Sequence, residues 1–368
     1  MRALVVGGTG LTGPIIISGL IARGYQVTII HSGKHESDEI PEQVRHIHID
    51  VHDIDALNSA LHDQFYDVAF SMYGRLVEVA EALKGHTNHL ISVGGECVYK
   101  GWFRIAHPLI YQFMEPSLIP THEDGPLEPL GIDSFVDKML EAEQFVMQCF
   151  QEGHYNVTHF RFTICYGPRQ IRPTEWSVVR RILDGRKRFV LPQGGQGIVS
   201  RGYGENCAHG LLLAVDKPTI AAGQIYNVCD ETHLTHKMFV ETIAEVMGHE
   251  FEFVDSSLNY MNEGYICAYP PFINYPYHEI MGLDKIKTEL GWAEQVAPKQ
   301  ALQNTINWLL KNPPKEGGWS KSDPFAYDIE DLTIDRLQAV EKMLKNEVLG
   351  TQYSWRHPYP HPVKPSSS

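Results

Sequence analysis

The sequence predicts an α/β chain: a doubly wound parallel sheet in the first half, followed by a smaller C-terminal α/β lobe. Three observations predict it. Short β-rich apolar runs alternate with stretches of helical spacing, a glycine-rich loop lies between the first run and the first helix, and the rhythm changes after Pro168. Strands that alternate with helices form a parallel sheet covered on both faces.

The elements follow in order. Strands are expected at residues 3–6, 26–30, 45–49, 68–70, 89–93 and 156–162. Helical spacing occupies residues 15–23, 54–64, 76–84 and 134–150. These elements bound a first domain at residues 1–168. A second lobe is expected over 169–350, with about 198–230 returning to the first domain, and a Pro- and His-rich tail over 351–368. Within the lobe, residues 175–188 read as a basic helix, 224–228 as a strand, 235–247 as a helix and 332–348 as a last helix. The aromatic, Pro-rich stretch YICAYPPFINYPY at 265–277 reads as irregular chain able to wall a pocket. Four prolines in the tail exclude a regular helix there.

Composition narrows the class. The formal charge of −14 repels nucleic acid and anionic lipid, so neither is expected as the principal partner. The six cysteines form no C-x-x-C pair and mostly sit in apolar runs such as FTICYG, which fits buried free thiols in a reducing compartment. No apolar run reaches the roughly 18 residues of a membrane span, and the chain opens directly on the strand ALVV without a signal-peptide pattern; a cytoplasmic location is expected.

The most informative segment is ALVVGGTGLTGPIIISGLIARGYQVTII. A strand runs into Gly7, Gly8, Thr9, Gly10, Leu11, Thr12 and Gly13, then a helix, then a second strand. Gly7 permits the tight turn, Gly10 lets the backbone approach a pyrophosphate, and Gly13 lets helix and strand pack closely; the free N–H groups of the helix start face the phosphates. Strand, loop, helix and second strand in register are the context a Rossmann-type dinucleotide loop requires. Pro14 suits the first helical turn and Gly24 the stop.

The G-x-x-G-x-x-G spacing resembles that of the short-chain dehydrogenases/reductases, and the chain is similar to their extended branch, the epimerase/dehydratase-like proteins. The likeness continues in ISVGGECVYKG, RFTICYGPR, RGYGENCAHGLLLAV and GLDKIKTELGW. It implies a nicotinamide dinucleotide, a small carbonyl or carbinol substrate, and an oxidoreductase or epimerase activity. Members often pair into homodimers through two helices, an assembly open to this chain as well. An acidic residue that would hold an NAD ribose is replaced by His31, Ser32, Gly33, Lys34 and His35, which favours NADP, with NAD as the other option. Asp50 and Val51 stand where the family contacts adenine, and Met72 and Tyr73 where it meets nicotinamide.

The family's proton-transfer group is Ser/Thr with a Y-x-x-x-K pair, set at i and i+4 on one helix face. Here Lys138 matches the lysine, while the tyrosine position is Ser134 and the Ser/Thr position is Gly95. The departure puts the Tyr-dependent mechanism in doubt. Glu96 stands where dehydrating members carry a carboxylic acid, and Tyr166 is the candidate phenol, since related reductases with only the lysine recruit a downstream tyrosine. Arg201 resembles the arginine that binds a substrate diphosphate, with Asn206 in place of the aspartate that follows it; Tyr99 is a second substrate candidate. Two alternatives stay open: a non-redox lyase or dehydratase that retains the dinucleotide, and a protein that senses the dinucleotide ratio. His46, His48, Asp50 and His52 alternate on one strand face, but that strand belongs to the cofactor sheet and no metal is expected. Arg180, Arg181, Arg186, Lys187 and Arg188 read mostly as a solvated charged face.

Overall fold

A computed structural model describes residues 1–34, 36–72, 75–102, 117–256, 278–315 and 323–347. Tyr73, His35, the 265–277 stretch and the 351–368 tail lie outside the described residues.

Seven parallel strands form the central sheet. They are β1 (Arg2–Val6), β2 (Gln26–His31), β3 (Arg45–His48), β4 (Val68–Ser71), β5 (His89–Gly95), β6 (Asn156–Phe162) and β10 (Gln224–Val228). Their order is β10-β6-β5-β4-β1-β2-β3. The direction of strand addition reverses between β1 and β4, which opens a crevice at the carboxyl ends of those strands. Central strands such as β1 and β4 are apolar and almost wholly buried, as helices on both faces require, while the edge strand β3 (RHIH) is mostly exposed and polar.

On one face lie α1 (Gly13–Ala22) and α6 (Gly204–Asp216), whose core contains Ile16, Leu20, Leu211 and Leu212. On the other lie α2 (Ile54–Leu61), α3 (Leu76–Ala82) and α4 (Ser134–Gln151), with Leu57, Val79 and Val146 in the core. Helix α4 starts where the Asp133 carboxylate accepts the Phe135 N–H. It is held down by a buried ionic network. Arg161 on β6 donates two bonds to Glu143 on α4, at 2.8 and 2.6 Å, and a third to the Tyr99 hydroxyl at 2.7 Å. Burial alone would raise the Glu143 carboxyl, but its hydrogen bonds and charge pairing with Arg161 hold it below the usual carboxylate range. His159 stands 3.4 Å from the same carboxylate and 2.8 Å from Ser92 on β5.

The second lobe has its own apolar cluster, with Val178, Phe189, Phe239, Ile243 and Leu302. It is built from α5 (Trp176–Leu183), α8 (His236–Val246), α9 (Pro298–Lys311), α10 (Tyr327–Glu347) and the parallel pair β8 (Arg188–Pro192) and β11 (Glu252–Ser256). A second short parallel pair joins β7 (Ile164–Tyr166) to β9 (Arg201–Tyr203), and a four-residue helix α7 (Pro218–Ala221) leads into β10. The expected basic helix is shorter than its pattern: α5 ends at Leu183, Asp184 and Gly185 turn the chain, and β8 begins at Arg188. Arg180 and Lys187 are exposed, but the other three cations are not a solvated face. Arg181 is fully buried between Asp323, at 2.6 Å, and Glu330, while Arg186 pairs with Asp331 at 2.6 Å and Arg188 with Asp335 at 2.8 Å. These pairs join α5 and β8 to α10. Among the described residues no helix is long and apolar enough to cross a membrane.

Candidate functional site

The glycine loop sits at the reversal of strand order. Gly7 donates its N–H to Ile30 on β2 at 2.8 Å, and Met72 donates to Val6 at 3.0 Å, so the ends of β1, β2 and β4 converge there. Gly7 and Gly8 turn with φ of +96° and +92°, in the region that favours glycine. A Cβ at Gly13 would stand 2.1 Å from the Gly8 carbonyl oxygen, so α1 can begin this close to the strand only with glycine there. A Cβ at Gly10 would meet nothing within 4 Å. The loop is therefore closed beneath and open above, a cradle for a phosphate at the start of a helix. Thr12 stands at the position before α1, makes no side-chain cap bond and is buried; Thr9 is half-buried on the rim. The Leu11 side chain packs against Gly167, in the turn after β7, and Gly204, the first residue of α6.

Arg169 was not anticipated as a site residue. It follows the YGP segment with φ of +66°, its Nε reaches the Gly10 carbonyl at 3.4 Å, and its guanidinium pairs with Glu39. A cation thus lies across the phosphate loop. The only signal in the sequence is its place directly after that segment.

At the end of β2, His31 is buried while Ser32 and Lys34 are exposed. Asp50 lies just beyond β3 and is exposed; the backbone and side-chain N–H groups of His52 hold its carboxyl below the ordinary range. Val51 is half-buried against the sheet's second face. Asp50 and His52 bond each other, so the alternating set HIHIDVHD does not act together. His46 and His48 instead meet His31 and Glu36. Sequence reasoning missed Glu36, which sits in the connection just after the SGKH segment.

Glu96 opens a short turn directly after β5 and is half-buried. Helix α4 runs alongside: the Met139 Cε would stand 3.6 Å from a Cβ at Gly95. Lys138, the preceding residue on that helix, is exposed, as are Ser134 and Phe135. Between these two elements, burial pushes the Cys97 thiol up to about 12, so it stays protonated.

Three candidates do different work from that expected. Tyr166 is buried and its hydroxyl donates to Asp230 at 2.8 Å; burial and that carboxylate push the phenol well above its usual range. It is a core residue of the second lobe and not a proton donor beside Lys138. Tyr99 is fully buried, accepts from Arg161 and donates to Asn227 at 2.7 Å, so it braces β10 and does not face substrate. Asn206 is equally occupied: it donates to Asp230 at 2.7 Å and accepts the N–H groups of Gln295 and Val296. Arg201 is buried over the Phe239 ring, 4.1 Å from its centroid, and shares a pocket with Tyr166, Asp230 and His233. Burial pushes Asp230 up to about 6.

Residues 3–99 match the family model described as the NAD dependent epimerase/dehydratase family. A curated relative, the chloroplast stem-loop binding protein of 41 kDa b of Arabidopsis thaliana, is 24% identical over 83% of this chain and 78% of its own length. An uncharacterized protein of Sinorhizobium fredii is 25% identical over 40% of this chain and 45% of its own. Among solved structures, UDP-glucuronic acid 4-epimerase from Bacillus cereus in complex with NAD superposes with a TM-score of 0.64 at 17% identity, over 86% of this chain and all of the other. dTDP-glucose 4,6-dehydratase from Bacillus anthracis, also with NAD, gives 0.63 at 17% identity over 85% of this chain and 97% of the other. With this glycine loop and this strand order, residues 3–99 are similar to the NAD dependent epimerase/dehydratase family, and the chain shares the fold of the NAD-bound epimerase and dehydratase structures.

Proposed function

We propose that the protein is an NAD(P)-dependent enzyme acting on a small carbinol or carbonyl compound of the nucleotide-sugar class, with Glu96 as its acid–base group. The observation that carries the reading is the cradle: a glycine loop closed below and open above, at the point where strand order reverses. The residues present fit a dinucleotide. The N–H groups at the start of α1 and the Arg169 guanidinium suit its pyrophosphate, Met72 backs the loop at Gly7, and Lys138 on α4 suits the nicotinamide ribose. Ser32 and Lys34, exposed at the end of β2, favour the 2′-phosphate form, with NAD as the second choice.

A bound dinucleotide would supply a hydride acceptor and donor for a substrate carbinol carbon. The chain's own groups must move the accompanying proton. Without a tyrosine at Ser134 or a hydroxyl at Gly95, the acid–base role falls in this reading to Glu96, the carboxylate directly after β5. A half-buried carboxylate there takes the hydroxyl proton as hydride leaves and gives it back on return. The same group without a tyrosine suits a dehydratase or lyase, in which its protonated form would give a proton to the leaving hydroxyl, which departs as water; this second reading rests on the Gly95 and Ser134 substitutions. The chloroplast relative's name refers to stem-loop binding, but a chain of formal charge −14 repels such a partner, so that property is not carried over.

The test pairs Glu96→Gln with Lys138→Ala and assays UDP-glucose, UDP-glucuronic acid and dTDP-glucose by product analysis and absorbance at 340 nm. Glu96→Gln is expected to lower kcat by roughly 10²–10⁴ while dinucleotide affinity holds. Wild-type turnover by Glu96→Gln would remove the carboxylate from the mechanism.

A further inference from the structure

The outer corner of the sheet, beside the end of β2, gathers four metal-ligating side chains. His46 and His48 lie two apart on β3, so both project from one face of the edge strand. His31 is paired with His48 in the parallel register of β2 and β3, which brings a third imidazole to that face. Glu36 comes from the connection between the two strands. The His31 Nε2 lies 3.0 Å from the His46 Nδ1, and Glu36 Oε1 lies 3.4 Å from the His48 Nε2. The other Glu36 oxygen is 3.9 Å from the His46 Nδ1. One donor atom from each of the four residues falls within 4.8 Å of the others.

We propose that His31, Glu36, His46 and His48 form a binding site for a divalent transition metal of the zinc class. Three imidazole nitrogens and one carboxylate oxygen suit Zn²⁺, Co²⁺ or Ni²⁺. The set has no thiolate to select Cu⁺ and too few oxygens for Ca²⁺ or Mg²⁺. With bonds of about 2.0–2.2 Å, a tetrahedral set holds its donor atoms roughly 3.3 Å apart. Two of the distances already match, and the rest close by rotation of Glu36, His46 and His48, all exposed. His31 is the fixed, buried member. The Gly33 N–H now reaches its Nδ1 at 3.3 Å; ligation through Nε2 puts the ring proton on Nδ1 and turns that N–H away. A filled site clamps the connection after β2, which carries Ser32 and Lys34, onto the edge strand. The four differ from the alternating set in the sequence: Asp50 and His52 are engaged with each other, and His31 and Glu36 take their places.

The experiment titrates chelator-treated full-length protein with ZnCl₂ by calorimetry and with CoCl₂ by visible absorption. One equivalent of zinc and a tetrahedral cobalt band are expected. His46→Asn/His48→Asn should abolish both, Glu36→Gln should weaken zinc binding by about tenfold or more, and His357→Asn/His361→Asn in the tail should change neither. Circular dichroism of each variant establishes that the fold is retained. Absence of a cobalt band in the wild type would overturn the site. So would zinc binding that survives His46→Asn/His48→Asn or is lost with the tail histidines.

Discussion

Two corners of one crevice differ in how they follow the pattern of the family the sequence resembles. At the phosphate corner, Gly7 to Gly13 keeps the pattern in full, because backbone geometry demands it: only hydrogen fits between Gly13 and the Gly8 carbonyl. At the corner proposed for proton transfer, Gly95 and Ser134 stand where the resembled family carries a hydroxyl and a tyrosine, while β5 and α4, with Lys138 on it, keep the sheet and helix of that pattern. The difference teaches that the scaffold holds the site independently of the groups mounted on it. Helix α4 is fixed by Glu143 against Arg161 and by Met139 against Gly95, and neither contact involves Ser134 or Lys138. Chemistry at this corner can therefore change without loss of the fold.

The largest effect should come from breaking that scaffold. Arg161→Met leaves Glu143 buried without its cation, a loss of about 3–5 kcal/mol, read as a lower midpoint in urea unfolding. A midpoint like the wild type's would mean that α4 is held by apolar packing alone. Next is Gly10→Asp. It places a carboxylate where pyrophosphate would lie but where a Cβ meets nothing, so dinucleotide affinity should fall by roughly 100-fold or more with the thermal midpoint unchanged. Unchanged affinity would displace the loop from the binding site. Arg169→Ala sharpens the contrast further. Loss of one charge-assisted contact should weaken dinucleotide binding by about tenfold, and the loss should shrink as salt rises; tighter binding would instead make Arg169 a plug across the loop.

The smallest effect concerns pH. Burial pushes His89 and His159 down to about 4, from 6.5 when unfolded. The unfolded chain thus binds more protons in that interval, and the stability they contribute is complete above pH 6.5 and lost as pH falls toward 4. Asp230, pushed up to about 6, has the opposite sign between 3.8 and 6, as do Glu175 and Glu330, raised by burial; His31, His209 and His233, lowered by burial, add to the histidine side, and five histidines against three carboxyls leave the net direction unchanged. The thermal midpoint should rise from pH 4 to 6.5 and then level. A midpoint falling over that interval would contradict these buried, neutral histidines.

How much of this was legible in the sequence varied by residue. The glycine loop and the sheet strands were, because turn sterics and apolar runs are local. Tyr166 and Tyr99 misled because a phenol's role is set by its partner: Asp230 lies 64 residues from one and Asn227 lies 128 from the other. Arg181 looked solvated for the same reason, with its carboxylates 142 and 149 residues away. Arg169 and Glu36 reach the site from turns that carry no periodic pattern. For Lys138 the structure gives an exposed side chain on α4, and its proposed role rests on the i+4 spacing.

The most direct test of the central claim is calorimetric titration of the wild-type protein with NADP(H) and NAD(H). The account predicts one dinucleotide per chain, bound more tightly in the 2′-phosphorylated form. Failure to bind either dinucleotide would contradict it, and would leave the cradle at Gly7 to Gly13 as a remnant of the fold.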